Sequence, residues 1–177
     1  PLGEHTLFDG ESLDGWSRTG GWTILNGAML ARAATGQLAV ATAGNLEWRD
    51  VVFQAEASLT RKGRMPRDGE YFLILFRCQD PANFLCVRFA LEGIYEIGYY
   101  RNGRWAETGR ARFGLGSDFN KWHTIQVKVV GKKLDIVIDG NSTGPTLPIA
   151  YWGKGLVGVA VTGGEAVFRN VRVRALR

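Results

Sequence analysis

At 177 residues, 45% hydrophobic and 11% aromatic, the chain is long and apolar enough to enclose one core, which excludes a disordered polypeptide. No apolar run approaches the roughly 20 residues that a bilayer-spanning helix needs, so no membrane partner is expected. A net charge of +5 and a pI near 9.5 raise nucleic acid as a partner, and the placement of the basic residues argues against it.

Leu7-Phe8-Asp9-Gly10 opens the chain and leads into the turn Leu13-Asp14-Gly15-Trp16. Two apolar runs, 22–25 and 28–30, flank Asn26-Gly27, a dipeptide that favours the left-handed backbone of a tight hairpin turn. Residues 51–59 alternate cleanly: Val51, Phe53, Ala55, Ala57 and Leu59 share one face, and Val52, Gln54, Glu56 and Ser58 the other. The basic cluster Arg61-Lys62-Gly63-Arg64-Met65-Pro66-Arg67 follows, in a Gly/Pro-containing segment that reads as a solvated loop. From 69 to 107 several runs rich in Tyr, Phe, Ile, Leu and Val are separated only by Asp80-Pro81-Ala82-Asn83, Glu92-Gly93 and Asn102-Gly103. Links that short join only antiparallel neighbours, so this is a meander. Further strands are expected over 122–130, 134–139, 156–162 and 166–176. In the last of these Arg169, Arg172, Arg174 and Arg177 accompany Val171 and Val173, the pattern of a strand with one wet face rather than a nucleic-acid motif. No 3.6-residue period lasts beyond two turns. Many short strands with Gly-rich turns predict an all-β fold, a two-sheet antiparallel β-sandwich formed as one domain over residues 1–177. The chain starts at Pro1, and the expectation is a processed protein or part of a larger multidomain polypeptide.

A turn at 80–83 pairs Gln79 with Phe84, Cys78 with Leu85 and Arg77 with Cys86. In that register Phe72, Ile74, Phe76 and Cys78 join Leu85, Val87, Phe89 and Leu91 as core. Arg77 and Arg88 then share the opposite face with Leu73, Leu75, Phe84 and Cys86. Cys78 and Cys86 fall on opposite faces, which forbids a bridge and predicts free thiols.

Leu7-Phe8-Asp9-Gly10-Glu11-Ser12-Leu13-Asp14-Gly15-Trp16 and Ala166-Val167-Phe168-Arg169-Asn170-Val171-Arg172-Val173 resemble the two ends of the 3-keto-disaccharide hydrolase domain family. Between them Leu75-Phe76-Arg77 and Asn120-Lys121-Trp122-His123-Thr124-Ile125 fall in that family's order. The layout is also similar to the fructan-binding modules of levanases and to laminin-G-type domains. The resemblance implies the concanavalin A-like jelly roll, with one concave sheet. It also makes Asp9 a candidate ligand for a structural Ca²⁺, as in relatives of this fold; no other cofactor is expected. The chain departs from the hydrolase pattern at Tyr71-Phe72-Leu73-Ile74-Leu75, where that family carries Asn-Ser-Gly-Ile, and keeps only the Tyr95-Glu96 of its following stretch.

Two arginines among apolar residues are unusual on a solvent face, and a guanidinium offers five donors in one plane, suited to vicinal hydroxyls or a carboxylate. Arg77 and Arg88, with Glu56 from a neighbouring strand, are therefore expected to meet glycan hydroxyls on the concave sheet. The bland alternative has Glu56 and Glu96 simply pairing with Arg77 and Arg88. Aromatic platforms for sugar rings are sought among Tyr95, Tyr99, Tyr100, Trp105 and Trp152, whereas Trp16, Trp22, Trp48 and Trp122 read as core plugs. No pair of carboxylates two residues apart on one strand, as glucanases of this fold use, occurs around Glu56, and His123 reads as a core or sheet-edge histidine. The expected function is a non-catalytic carbohydrate-binding module for oligo- or polysaccharide, secreted or on the cell surface. The alternatives are a 3-keto-type glycoside hydrolase using Glu56 or Glu96 as acid or base, and a laminin-G-like protein-interaction domain.

Overall fold

The computed structural model describes residues 3–60, 69–113, 118–144, 147–149 and 153–176; the basic segment 61–67 and Trp152 lie outside them. Among the described residues every regular element is a strand. In chain order these are β1 (Glu4–Phe8), β2 (Ser17–Arg18), β3 (Gly21–Leu25), β4 (Ala28–Arg32), β5 (Leu38–Ala43), β6 (Val51–Leu59), β7 (Tyr71–Asp80) and β8 (Asn83–Ala90). They continue as β9 (Ile94–Arg101), β10 (Arg104–Arg112), β11 (His123–Val130), β12 (Lys133–Ile138), β13 (Asn141–Ser142), β14 (Leu147–Pro148), β15 (Leu156–Thr162) and β16 (Glu165–Ala175).

They form two antiparallel sheets. The first runs β13-β12-β11-β6-β16-β4-β3, with β1 on the second half of β16 and β14 on β12; the second runs β10-β9-β8-β7-β15-β5-β2. The alternation read in 51–59 is realised in β6, whose Val51, Phe53, Ala55, Ala57 and Leu59 all face the partner sheet with at most 3% exposure. Phe72, Ile74 and Phe76 meet them from the second sheet, beside Leu85, Val87 and Phe89. Phe72 stacks on Phe89 at 4.8 Å, and Phe119 closes on both rings edge-on at 5.6 and 5.1 Å, arrangements that aromatic quadrupoles favour. Trp16 and Trp22 are buried plugs whose indole N–H groups donate to the carbonyls of Leu7 and Thr19. Trp122 is not a plug: it is 36% exposed and lies under the guanidinium of Arg169. His123 is half-buried at the start of β11, an interior strand of the first sheet rather than an edge, 2.6 Å from Asp139 Oδ2 and 2.7 Å from the carbonyl of Asp118.

The 80–83 turn forms as expected, but the register beyond it differs. Phe76 pairs with Leu85 and Asp80 with Asn83, so Arg77, Cys78 and Gln79 oppose a single residue in a bulge, with Arg77 at φ 47°. The bulge turns Arg77 away from Arg88. Its side chain, 4% exposed, donates to the carbonyl of Arg49 at 3.0 Å and to Asp50 Oδ1 at 3.4 Å, and Asp50 also accepts the Gly131 N–H at 2.9 Å. Arg77 therefore ties the second sheet to the start of β6 and to the β11–β12 turn.

The same bulge moves Cys78 onto the outer face of the second sheet, where Leu73, Leu75, Phe84, Cys86, Tyr100, Val40 and Ala160 form a second, smaller apolar cluster. Both thiols are thus on one face rather than on opposite ones, and both are buried and free. Burial pushes the Cys78 thiol up to about 12 from its usual 9.0, with Asp80 adding to the shift, and burial raises Cys86 as well. Burial likewise raises the phenols of Tyr71 and Tyr100 from 10.0. The folded state holds these protons more tightly than the unfolded chain does. Their contribution is therefore intact below the ordinary thiol range and is lost as pH rises from 9.0 toward about 12. The urea midpoint is expected to fall steadily across that interval, and neither thiol should react with an aromatic disulfide reagent at mildly alkaline pH until the chain unfolds. Prompt labelling of the native chain would contradict the enclosure of both sulfurs.

Candidate functional site: a cleft on the outer face of the second sheet

The outer face of the second sheet is built row by row from strand register. Arg88 of β8 stands opposite Leu73 of β7 and Glu96 of β9; Cys86 stands opposite Leu75 and Gly98; Phe84 stands opposite Tyr100, which in turn faces Trp105 of β10. The middle of the face is apolar, and Arg88 and Trp105 come in over it from the same side. Gly98 makes this possible: a Cβ there would sit 2.1 Å from the Ala106 carbonyl oxygen and 2.7 Å from Cη2 of Trp105, so only glycine lets the indole lie down against the sheet.

Arg88 is the centre of the arrangement. Its guanidinium carbon is 4.1 Å from the ring centroid of Tyr71 and 3.9 Å from that of Trp105. Nε donates to Glu96 Oε2 at 2.7 Å and Nη1 to the Tyr100 hydroxyl at 3.2 Å. Burial by itself opposes its charge, yet the bonds to Glu96 and Tyr100 outweigh it and raise the guanidinium's proton affinity further. Two of its five N–H groups are used by these bonds; the others have no protein acceptor among the described residues, and Arg88 lines a cleft of about 490 Å³. Leu38, Tyr71, Tyr100, Trp105 and Thr162 line the cleft with it. Behind it, Glu96 is 4% exposed and accepts three donors: Arg88, the Arg110 Nη2 at 3.0 Å and the Tyr71 hydroxyl at 3.4 Å. A carboxylate held that way positions an arginine; it has little freedom to take a proton from a substrate.

The structure thus brings together Arg88, Glu96, Trp105 and Tyr100. It leaves out three residues expected with them. Arg77 is withdrawn by its bulge into the bond with Asp50. Glu56 lies on β6, which belongs to the first sheet, and faces outward there beside Arg169 at 3.4 Å and the side-chain amide of Asn170. Tyr95 points inward, 2% exposed, with its ring 6.0 Å from Phe89. The bland pairing holds for Glu96, which pairs with Arg88; it fails for Glu56, which pairs with Arg169, and for Arg77, which pairs with Asp50. Asp9 is exposed and its Oδ1 accepts the Glu11 N–H at 2.9 Å, closing its own turn; no group of three or more potential metal ligands occurs among the described residues. Tyr71 and Arg110 were not expected. Tyr71 carried a signal, since it alternates with Leu73 and Leu75, whereas Arg110 is hidden by a register shift between Glu107 and Gly109.

Residues 3–174 match the sequence model of the 3-keto-alpha-glucoside-1,2-lyase-like domain. No curated protein matches the sequence. Among solved structures the chain is similar to the carbohydrate-binding module CBM66 from Bacillus subtilis, with 17% identity, 91% of this chain and 96% of that one covered, and a TM-score of 0.76. It is also similar to the β-glucanase of Bacillus licheniformis, with 11% identity, 96% and 97% covered and a TM-score of 0.68. The exoplasmic/lumenal domain of VIP36, in a Ca²⁺- and Man3GlcNAc-bound form, has 12% identity, 98% and 89% covered and a TM-score of 0.68. At such identities the likeness is one of fold: the concanavalin A-like jelly roll of glucanases and lectins.

Proposed function

The chain belongs to the 3-keto-alpha-glucoside-1,2-lyase-like domain family, and from that premise we propose that it is a carbohydrate-binding domain whose ligand enters the cleft over Arg88 without being cleaved there. One observation carries the reading: Arg88 lines the cleft, packed against two aromatic rings and braced by a saturated glutamate, with N–H groups left over from its bonds to the protein. Such a group is preorganised to donate in its own plane to adjacent hydroxyls, while the part of the half-buried Trp105 indole that Arg88 and the sheet leave uncovered offers apolar contact to the C–H groups of a sugar ring. The similarity to a carbohydrate-binding module supports binding, and the absence of any carboxylate among the described residues lining the cleft supports binding without turnover. An exported or cell-surface setting, within a larger glycan-processing polypeptide, belongs to the same proposal.

The test is calorimetric titration with fructan, β-glucan and glucoside oligomers and with 3-keto-glucosides, each mixture then assayed for released product. Binding without product, weakened about tenfold or more by Trp105→Ala at unchanged melting temperature, is the expected result. Release of an aglycone from a 3-keto-glucoside would replace the binding reading with the elimination that the family's name describes. Silence across the panel would remove the carbohydrate reading of the cleft.

A further inference from the structure

The opposite side of the sandwich carries a second set of groups that the cleft does not use. On the outer face of the first sheet, three strands present a lattice set by register: Thr124, Glu56 and Arg169 in one row, Gln126, Gln54 and Arg172 in the next, Lys128, Val52 and Arg174 in the third. Gln54 and Gln126 face each other across β6 and β11, both half-buried, and neither amide has a hydrogen-bond partner among the described residues. They lie in a depression of about 200 Å³ bordered by Arg172 and Arg174. The amide atoms of neither residue are enclosed, so both stand open to solvent side by side and can exchange water for the hydroxyls of a ligand.

Two further observations fall on the same face. Trp122 continues the outward series of Gln126 and Thr124 on β11, and it is one of the few large apolar side chains left exposed. The guanidinium of Arg169 stacks on it at 3.9 Å. Unlike Arg88, this arginine is held loosely: it reaches Glu56 only at 3.4 Å, and its enclosed Nε–H has no acceptor among the described residues. An arginine and a tryptophan stacked at the end of a row of amides and hydroxyls form a surface about 13 Å long, four residues at the rise of a strand. That length suits an oligosaccharide rather than one ring.

We infer that this face is a second saccharide site, for a neutral chain with free adjacent hydroxyls, in which Gln54 and Gln126 bond the hydroxyls and Trp122 packs against a ring. Charge decides against an acidic ligand. Of Lys128, Arg169, Arg172 and Arg174, three are offset by Glu4, Glu56 and Asp135 on the same face or at its margin, which leaves a net excess of one positive charge, too little to draw a polyanion. A paired primary amide presents a donor and an acceptor together, the complement of a diol. The inference does not depend on the cleft being a saccharide site.

The full chain is tested by retardation in native gels containing β-glucan, xylan, inulin or dextran, with polygalacturonate and duplex DNA run in parallel. Trp105→Ala, which disables the cleft, is expected to leave retardation by at least one neutral polymer, independent of salt. Adding Gln54→Ala and Gln126→Ala to that variant should weaken the remaining retardation about tenfold or more, and so should adding Trp122→Ala, with melting temperatures measured on each. The two glutamine changes are at the surface and leave the test intact even if loss of Trp122 loosens the fold. Retention of neutral-polymer binding in the glutamine variant, or no retardation of the Trp105→Ala chain by any neutral polymer, would overturn the second site. So would retardation by polygalacturonate and DNA alone, abolished at high salt, which is the behaviour of a charged patch. If the cleft reading fails instead, Trp105→Ala changes nothing and the glutamine changes remove all binding.

Discussion

Arg77→Ala is expected to lower folding stability by about 3–5 kcal/mol, because it removes the guanidinium partner of a carboxylate that is itself largely buried. Arg77 and Asp50 are 4% and 10% exposed as side chains, so water cannot replace what is lost. The residue also sits at φ 47°, a conformation that an arginine does not favour, and its side-chain bonds to Asp50 and the Arg49 carbonyl help to offset that strain. With that anchor gone the bulge keeps only the bond from Gln79 to the Lys154 carbonyl and the pairing of Cys78 with Leu156. In a domain of this length the loss corresponds to a melting temperature lower by roughly 6–20 °C. Asp50→Asn should cost less, since an amide oxygen still accepts the Gly131 N–H, and the order of the two variants in urea denaturation is the check. An Arg77→Ala chain as stable as the natural one would mean that the bond to Asp50 adds nothing to the fold. Saccharide affinity should survive in whatever fraction stays folded, which separates Arg77 from the binding group.

Arg77 also shows where the sequence stopped being legible. Alternation in 51–59 is readable because β6 has one face on the core, and every inward residue there follows the pattern. Alternation assigns a face, however, and not a sheet, which is why Glu56 was expected near Arg88 and is found on the other side of the molecule. The six residues of β5 have no alternation to read, since nearly all are buried on both faces. The bulge at Arg77 is stabilised by an aspartate 27 residues earlier in the chain, and no local signal marks it. By contrast Arg88, Glu96, Tyr100 and Trp105 were legible. They lie in short-linked strands where turn length sets the register, and Trp105 follows the Asn102-Gly103 turn directly. What the sequence could not show is that Gly98 leaves the space into which Trp105 folds, because that depends on which residue stands across the strand pair.

Arg88 is the position at which stability and binding are expected to fall together, and a lysine there should separate them. Arg88→Ala leaves Glu96, 4% exposed, with only Arg110 and the Tyr71 hydroxyl, and Arg110 is itself 60% exposed. The Tyr71 and Trp105 rings lose the cation packed against them. Because Arg110 still supplies a charge, the cost should lie toward the low end for a broken buried pair, about 3 kcal/mol, and saccharide binding in the cleft should disappear. Arg88→Lys restores a cation near Glu96 and should recover part of that stability. It should not recover binding, since an ammonium cannot bond Glu96 and Tyr100, stack between two rings and still present coplanar N–H groups to a ligand. Calorimetric titration and urea denaturation of the two variants give four values. A lysine variant that binds as tightly as the natural chain would show that the cleft needs only a point charge, and the planar donor geometry assigned to Arg88 would have to be abandoned. An alanine variant that binds normally would remove Arg88 from the site altogether and leave Trp105 as its remaining anchor.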